Sequence, residues 1–217
     1  MQRMAFVSDF DGTLTFKDFY HIVIDKYMGD KGRNLYTEWK KTRKINVEFL
    51  NLIFGSLNLT QDELTREILD IPFDRTAVPF MERLSRSGWD FYIVSAGTSY
   101  YIEILLDHLG IRSCQLISMK GVYENGGIRI IPDPNSPYYS EVFGLDKGKV
   151  LGALKEKYER VVFAGDSEPD LSAALRADLV FARSELAQLM EKAEVSYVPY
   201  GSYSDIQSCF VDKGWLK

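Results

Sequence analysis

Short apolar runs alternate with amphipathic helical patterns along most of the chain, and this alternation constrains the fold more than any other feature. The runs are bounded by turn residues and have the length of buried strands. They occupy residues 4–8, 91–95, 161–164, 179–182 and 197–198. Strands that alternate with helices pair in parallel, so the sequence predicts an α/β fold with a parallel sheet flanked by helices.

One segment, residues 16–75, breaks the alternation and carries only helical patterns. Helices are predicted near residues 19–28, 35–43, 47–57 and 61–69, and Thr60 with Glu63 forms the capping-box signature of the last one. Apolar residues cover nearly every side of the third helix, which indicates that it is buried or closes over another surface. We therefore expect a small helical cap domain at 16–75, inserted into a core formed by residues 1–15 and 76–217.

A turn signal interrupts the pattern again in the second half of the chain. Asn125-Gly126-Gly127 lies between two strand-like runs within residues 115–132. Asn-Gly accepts the positive φ angles that tight hairpin turns require, so this segment is predicted to form a β-hairpin.

The composition excludes several classes of protein. With 46% hydrophobic and 26% charged residues the chain is typical of a folded globular protein, and no segment approaches the ~20 apolar residues of a membrane span. A net charge of −5 disfavours general binding to nucleic acid. The first residues lack the apolar region of a secretory signal, and two cysteines suit a reducing compartment, so we expect a cytoplasmic protein. Neither a nucleic acid nor a membrane is an expected partner, and the sequence does not define an oligomeric state.

Carboxylates collect at the ends of two predicted strands. Asp9 and Asp11 follow the first apolar run, and Asp166 and Asp170 follow the run at 161–164. The carboxyl ends of parallel strands share one edge of the sheet, so we expect these four side chains to lie close together. Such a cluster does not stay ionised without a cation, and an all-oxygen ligand set favours Mg²⁺.

Four segments resemble, in order, the motifs of haloacid-dehalogenase-type phosphohydrolases. They are Asp9-Phe10-Asp11-Gly12-Thr13, Ser95 after the second strand, Lys147 at the start of a predicted helix, and Gly165-Asp166-Ser167-Glu168-Pro169-Asp170. The resemblance implies a Rossmannoid (HAD-like) sheet, a Mg²⁺ cofactor, and hydrolysis of a small-molecule phosphomonoester through an aspartyl-phosphate. A phosphoryl-transferring mutase and a non-catalytic Mg²⁺-binding protein remain as alternatives.

The same resemblance implies a role for each motif residue. Asp9 would be the nucleophile, and Asp11 would protonate the leaving alcohol and then activate water. The metal would be held by Asp9, by the backbone carbonyl of Asp11 and by Asp166, with Asp170 supporting the metal's waters or the motif lysine. The residues implied to bind the phosphoryl oxygens are Gly12, Ser95, Gly97 and Lys147.

Two lysines compete for the third motif. Lys147 stands at the start of the helix that precedes the strand at 161–164, whereas Lys149 lies two residues further on. The position of Lys147 matches the family pattern better, so Lys149 is expected to be a solvated helix residue. His21 and His108 have no Ser or Cys partner that would indicate a triad, and they are expected to be structural or surface residues.

The helical insertion resembles the C1 cap of phosphoserine phosphatases, which implies that residues 16–75 select the substrate. Asp18 stands where those enzymes carry a Glu that contacts the substrate. The predicted helix at 47–57 lacks the Arg with which they hold the substrate carboxylate, so Arg43 would have to supply that charge from a neighbouring helix. L-phosphoserine is therefore expected to be a poor substrate.

The C-terminal part points to a different branch of the family. Residues 179–186 and 197–200 resemble the end of the methionine-salvage phosphatases. This resemblance implies 2-hydroxy-3-keto-5-methylthiopentenyl-1-phosphate or a related metabolite as the substrate. It also reaches phosphocholine and phosphoethanolamine phosphatases, and phosphoserine is a further alternative.

Overall fold

The computed structural model describes residues 3–42 and 44–216. Its strands are β1 Met4–Ser8, β2 Trp89–Thr98, β3 Gln115–Glu124, β4 Gly127–Ile131, β5 Tyr139–Ser140, β6 Gly144–Leu145, β7 Arg160–Gly165, β8 Leu179–Ala182 and β9 Val198–Pro199. In the described residues seven of them form one sheet in the order β4-β3-β2-β1-β7-β8-β9, and β5 pairs with β6 separately. Within the large sheet, β4 pairs antiparallel with β3 and the remaining neighbours pair in parallel. The predicted α/β fold is confirmed.

Helices flank this sheet. They are α5 Ala77–Arg86, α6 Ser99–His108, α7 Lys147–Lys155, α8 Leu171–Ala174, α9 Ser184–Lys192 and α10 Tyr203–Asp212, and a 3₁₀ turn Glu168–Asp170 precedes α8. Among the residues described, no helix combines the length and the apolar character needed to span a bilayer.

The central strand β1 is buried because its neighbours and the helices cover it on both sides. Ala5, Phe6 and Val7 have no exposed surface. The Phe6 ring stacks on Phe91 at a centroid distance of 5.3 Å and meets Phe80 of α5 edge-on at 5.1 Å. A near-continuous apolar strand is what a parallel sheet covered on both faces requires.

All five predicted strands are present, with shifted ends. β2 begins two residues earlier and ends three residues later than the predicted run, because Trp89 is buried and the chain stays extended to Thr98. The last run, predicted at 197–198, forms β9 one residue further on. The differences are confined to element boundaries, which hydrophobic patterns define least well.

Between β1 and α5 lies a helical insert, residues 16–75. Its helices are α1 Phe19–Val23, which continues as a π-helical segment Ile24–Met28, α2 Gly29–Thr42, α3 Val47–Gly55 and α4 Gln61–Leu69. The four predicted helices are therefore present, although the second begins earlier than expected. The capping box of α4 is confirmed: the Glu63 amide donates to Thr60 Oγ1, and the Thr60 amide donates to Glu63 Oε2.

The chain enters and leaves the insert through two adjacent segments. The Phe16 amide donates to the Pro72 carbonyl at 2.8 Å, and the Asp74 amide donates to the Leu14 carbonyl at 2.8 Å. The insert is thus attached to the sheet a few residues after the end of β1.

The β3–β4 hairpin forms around the predicted turn and contacts the insert. Asn125 and Gly126 have φ angles of 51° and 83°, the positive values expected for a two-residue hairpin turn. The Asn51 side chain of α3 accepts from the Ile130 amide at 2.8 Å and donates to the Ile130 carbonyl at 3.2 Å. The Leu59 amide also donates to the Gly126 carbonyl at 3.0 Å, so the hairpin fixes the second half of the insert to the sheet edge.

Candidate active site

The parallel register places the motif residues at one edge of the sheet. Ser8 of β1 pairs with Ala164 of β7, and the Asp9 amide donates to the Ala164 carbonyl at 3.0 Å. Asp9 and Asp166 therefore lie next to each other, just beyond the ends of two adjacent strands. This is the edge at which ligands bind in open α/β sheets.

Three buried carboxylates form an acidic cluster: Asp9, Asp166 and Asp170. Their nearest carboxylate oxygens all lie within 4.8 Å of one another. Lys147, at the start of α7, is only 2% exposed, and its Nζ lies 2.6 Å from Asp9 Oδ1 and 2.5 Å from Asp170 Oδ1. By contrast, Lys149 is exposed and donates to the Tyr139 carbonyl. The structure brings Lys147, and not Lys149, to the acidic cluster.

The members of the cluster differ in what already contacts them. Asp170 Oδ2 accepts from the amides of Asp166 and Ser167 at 2.9 and 3.0 Å, while Oδ1 contacts Lys147, so both of its oxygens have partners. Within the part of the chain that the structure describes, the Asp166 carboxylate receives one hydrogen bond, from Thr13 Oγ1 at 3.1 Å. Asp166 is therefore better placed than Asp170 to accept a cation.

Gly12 keeps the first motif close to Asp166. It has a φ of +72°, and a Cβ at this position would collide with the Asp166 carboxylate. A residue without a side chain is needed here for both reasons.

The Asp11 carboxylate lies outside the acidic cluster. Its Oδ1 accepts from the Phe19 amide at 3.1 Å, at the start of the insert, and its Oδ2 accepts from the Tyr101 hydroxyl of α6. The side chain of Asp11 is therefore held between the sheet and the insert, and only its backbone is available to a cation beside Asp9.

Burial raises the pKa of the carboxyl groups at this edge. Burial and the nearby charges of Asp170 and Asp9 raise the pKa of Asp166 to about 9. Burial and the nearby charge of Asp18 raise the pKa of Asp11 to about 7. Burial and Asp170 also raise the pKa of Asp9 well above its ordinary value. Burial alone would lower the pKa of Lys147, but its two carboxylate partners raise it. One ammonium does not balance these carboxylates, so the site requires additional positive charge.

The other predicted phosphate-binding residues line the same region. Ser95, expected after the second strand, lies within β2 because the strand continues to Thr98; it is buried, and its Oγ accepts from the Gly97 amide at 3.0 Å. The Gly12 amide donates to Thr15 Oγ1 at 3.2 Å. Both glycine amides thus have an acceptor within the protein, whereas the Ser95 hydroxyl hydrogen has none among the described residues and can point toward a ligand.

A cavity of about 690 Å³ lies between these residues and the insert. The insert contributes Asp18, Tyr20, His21, Tyr36, Lys40, Lys44, Leu50 and Phe54 to its wall, among others. Asp18, predicted as a specificity residue, is therefore in the cavity wall; Arg43, the other one, lies outside the described residues. The cavity has the size of a small-molecule site.

Two ion pairs join the insert to the core at the edge of this cavity. Lys40 Nζ lies 3.3 Å from Glu185 Oε2, and Lys44 Nζ lies 2.6 Å from Glu168 Oε1. Both lysines in the wall are therefore already neutralised by carboxylates of the core.

Two residues beside the motifs were not predicted. Tyr101 contacts Asp11, as described above. Arg183, which directly follows β8, donates from Nε to the Gly12 carbonyl at 2.9 Å and from Nη2 to the Thr13 and Thr15 carbonyls at 3.1 and 3.2 Å. Arg183 could have been found from its position directly after a predicted strand. No spacing in the sequence signals Tyr101.

Comparison with known proteins agrees with this architecture. The sequence profile of haloacid dehalogenase-like hydrolases matches residues 6–175. The 2-hydroxy-3-keto-5-methylthiopentenyl-1-phosphate phosphatases of Bacillus cereus (strain ATCC 10987) and Bacillus thuringiensis subsp. konkukian are 28% and 27% identical to the chain, over 92% of each protein. A phospho-aspartyl intermediate analogue of phosphoserine phosphatase superposes with a TM-score of 0.73 at 18% identity, covering 96% of this chain and 99% of the other. A substrate-bound phosphoserine phosphatase gives a TM-score of 0.72 at 17% identity, covering 96% and 98%.

The parallel sheet, the carboxylates beyond its strand ends and the buried lysine define the class of the protein, which is a phosphoric monoester hydrolase. The chain belongs to the haloacid dehalogenase-like hydrolase family, with the fold seen in phosphoserine phosphatases. The predicted family and enzyme class are confirmed.

Proposed function

We propose that the protein is a Mg²⁺-dependent phosphatase that hydrolyses a small phosphomonoester through an aspartyl-phosphate on Asp9. The observation that carries the proposal is the contact of Asp9 with Lys147 at the floor of the cavity. A nucleophilic carboxylate must approach a phosphoryl group of the same charge, and an adjacent buried ammonium reduces that repulsion.

The residues present fit a hard cation. The unbalanced carboxylates described above require positive charge, and oxygen ligands of this kind suit Mg²⁺. We assign the cation to Asp9, the Asp11 backbone carbonyl and Asp166, with Asp170 supporting Lys147. When bound, Mg²⁺ would neutralise the phosphoryl group and clamp it for transfer.

The chain's own residues then carry the two half-reactions. Asp9 attacks phosphorus, the bond to the ester oxygen breaks, and Asp11 gives its proton to the leaving alcohol. Ser95 and Lys147 donate to the phosphoryl oxygens. The Gly12 and Gly97 amides would assist by exchanging their present acceptors, Thr15 Oγ1 and Ser95 Oγ, for phosphoryl oxygens. Asp11 next takes a proton from water, which attacks the same phosphorus and releases phosphate, restoring the Asp9 carboxylate.

We propose that residues 16–75 act as a cap over the core formed by 1–15 and 76–217. The insert and the core line the same cavity, with Leu50 and Phe54 from the insert and Asp9 and Asp166 from the core. Exclusion of water by such a cap protects the aspartyl-phosphate from premature attack and limits which alcohols fit.

For the substrate we propose 2-hydroxy-3-keto-5-methylthiopentenyl-1-phosphate or a related phosphomonoester whose organic half is uncharged. The Bacillus relatives that span most of the chain support this assignment, as does the wall formed by Leu50, Phe54 and the tyrosines. Among the described residues, the cations that line the cavity are Lys40, Lys44 and Lys147, and each is paired with a carboxylate. A substrate carboxylate would therefore meet no unpaired cation among the described residues of the wall, which disfavours phosphoserine.

The test is release of free phosphate from a panel of phosphomonoesters with Mg²⁺, with and without excess chelator. We expect turnover that chelator abolishes, and none in an Asp9→Asn variant that melts like the parent protein, because an amide does not form an acyl phosphate. Full activity in chelator would refute the metal assignment, and a fully active Asp9→Asn protein, checked by mass for deamidation, would move the nucleophile elsewhere. Phosphoryl transfer to a second alcohol in preference to water would instead identify a mutase.

A further inference from the structure

Tyr101 is a buried tyrosine whose hydroxyl is used by none of the steps above. Its side chain is 2% exposed, and the hydroxyl donates to Asp11 Oδ2. The opposite oxygen of that carboxylate accepts from the Phe19 amide at 3.1 Å. Two donors from different parts of the fold therefore define the orientation of the Asp11 side chain.

Packing gives the Tyr101 ring little freedom to turn. Its centroid lies 5.2 Å from that of Phe19 and 6.0 Å from those of Phe10 and Phe54, so residues of both the core and the insert surround it. A ring enclosed in this way places its hydroxyl at one position.

Gly97 provides the space that the hydroxyl occupies. A Cβ at residue 97 would collide with the Tyr101 hydroxyl and would lie 3.0 Å from Asp11 Oδ2. The glycine of the second motif thus permits the contact between Tyr101 and Asp11.

The Tyr101 hydroxyl is the donor in its hydrogen bond to Asp11 Oδ2. Burial, followed by the charge of Asp11, raises the pKa of Tyr101 well above its ordinary value. A protonated phenol stays a fixed hydrogen-bond donor to the carboxylate while the carboxyl group gains and loses its own proton.

We propose that Tyr101 is a positioning residue that holds Asp11 in line with the leaving-group oxygen. This inference rests on the proposed function of Asp11 as the general acid. As the bond between phosphorus and the ester oxygen breaks, the proton moves from Asp11 to that oxygen, and Tyr101 keeps its own proton. A leaving group that is stable as an anion needs no such proton, so the position of Asp11 matters much less for it.

The test compares leaving groups in the Mg²⁺-loaded enzyme. For Tyr101→Phe we expect kcat/KM to fall about tenfold or more with propyl phosphate and less than about threefold with 4-nitrophenyl phosphate. Tyr100→Phe, the matched control on the same helix, should change neither value. Gly97→Ala displaces the Tyr101 hydroxyl and keeps the phenol. It should lower kcat/KM for propyl phosphate relative to that for 4-nitrophenyl phosphate, as Tyr101→Phe does.

Asp11→Asn separates the inference from the function on which it rests. In Asp11→Asn, kcat/KM, which reports the half-reaction that releases the alcohol, should fall mainly with propyl phosphate, whereas kcat should fall with both substrates because Asp11 also activates water. Adding Tyr101→Phe should lower kcat/KM for propyl phosphate less than about twofold more, because the two residues act as a unit. Equal losses of kcat/KM with both substrates in Asp11→Asn would overturn the general-acid role itself. If Asp11→Asn loses kcat/KM mainly with propyl phosphate but Tyr101→Phe leaves the ratio of kcat/KM for propyl phosphate to that for 4-nitrophenyl phosphate unchanged, the positioning role of Tyr101 alone is overturned.

Discussion

Lys147→Met removes the one buried ammonium that Asp9 and Asp170 share. Its Nζ lies within 2.6 Å of an oxygen of each carboxylate, and methionine fills most of the same volume without the charge. The variant therefore tests the electrostatic function of Lys147 with little change in packing.

The expected loss of stability follows from this burial. Removing one partner of a buried ion pair costs about 3–5 kcal/mol, and a domain of this size loses about 2–4 °C in Tm per kcal/mol, so we expect Tm to fall by about 6–20 °C. Loss of the ammonium also raises the already elevated pKa of Asp9 further. A carboxyl with a raised folded-state pKa stabilises the fold below its unfolded pKa of ~4 and loses that contribution as pH rises through the folded value. The Tm deficit should therefore be larger at pH 8 than at pH 5.

Thermal unfolding in chelator at both pH values measures this effect, and Lys149→Met is the matched control. Lys149 is exposed on the same helix and contacts only the Tyr139 carbonyl among the described residues, so its replacement should change Tm by less than about 3 °C. With Mg²⁺, kcat/KM of Lys147→Met should fall at least about a hundredfold. A variant as stable as the control at pH 8, or a deficit that grows toward acid pH, would refute the electrostatic reasoning.

Three further variants test other parts of the structure. The kcat/KM for L-phosphoserine should be about ten- to a hundredfold lower than that for a phosphomonoester whose organic half is uncharged. Leu50→Arg should narrow this difference by adding a cation to the cavity wall. Phosphoserine as the best substrate of the unmodified protein would contradict this reasoning. Asn51→Ala should cost about 1–3 kcal/mol in urea unfolding because the buried Ile130 amide loses its acceptor, whereas exposed Asn34→Ala should cost almost nothing. Arg183→Met should lower kcat more than tenfold with KM nearly unchanged, since it loosens the nucleophile loop; parental kcat would argue against that support.

Most of the fold could be predicted because its signals are local. The apolar run of β1 and the capping box of α4 each depend on a few neighbouring residues, and the Asn125-Gly126 turn accepts positive φ by its residue types alone. The contact of this turn with Leu59 was not predictable, since it depends on how two separately folded segments meet.

In the candidate site, too, some features could be predicted from the sequence and others could not. Asp9 and Asp166 are brought together by parallel strand pairing, which the alternation of strands and helices already implies. Tyr101 reaches Asp11 only because of the rotation of α6 and the aromatic packing around its ring, and neither leaves a periodic signal in the sequence. Contacts that depend on side-chain packing across distant segments therefore require the structure.

The contacts of Arg183 bear on when the site forms during synthesis. The loop after β1 leaves the ribosome long before the guanidinium that holds its carbonyls, because that guanidinium lies 171 positions after Gly12. Because domains fold as their residues emerge, the nucleophile is made well before Arg183, and its loop is fastened only once Arg183 has been translated. A nascent chain that stalls before β8 would therefore display Asp9 on a loop that Arg183 has not yet fastened.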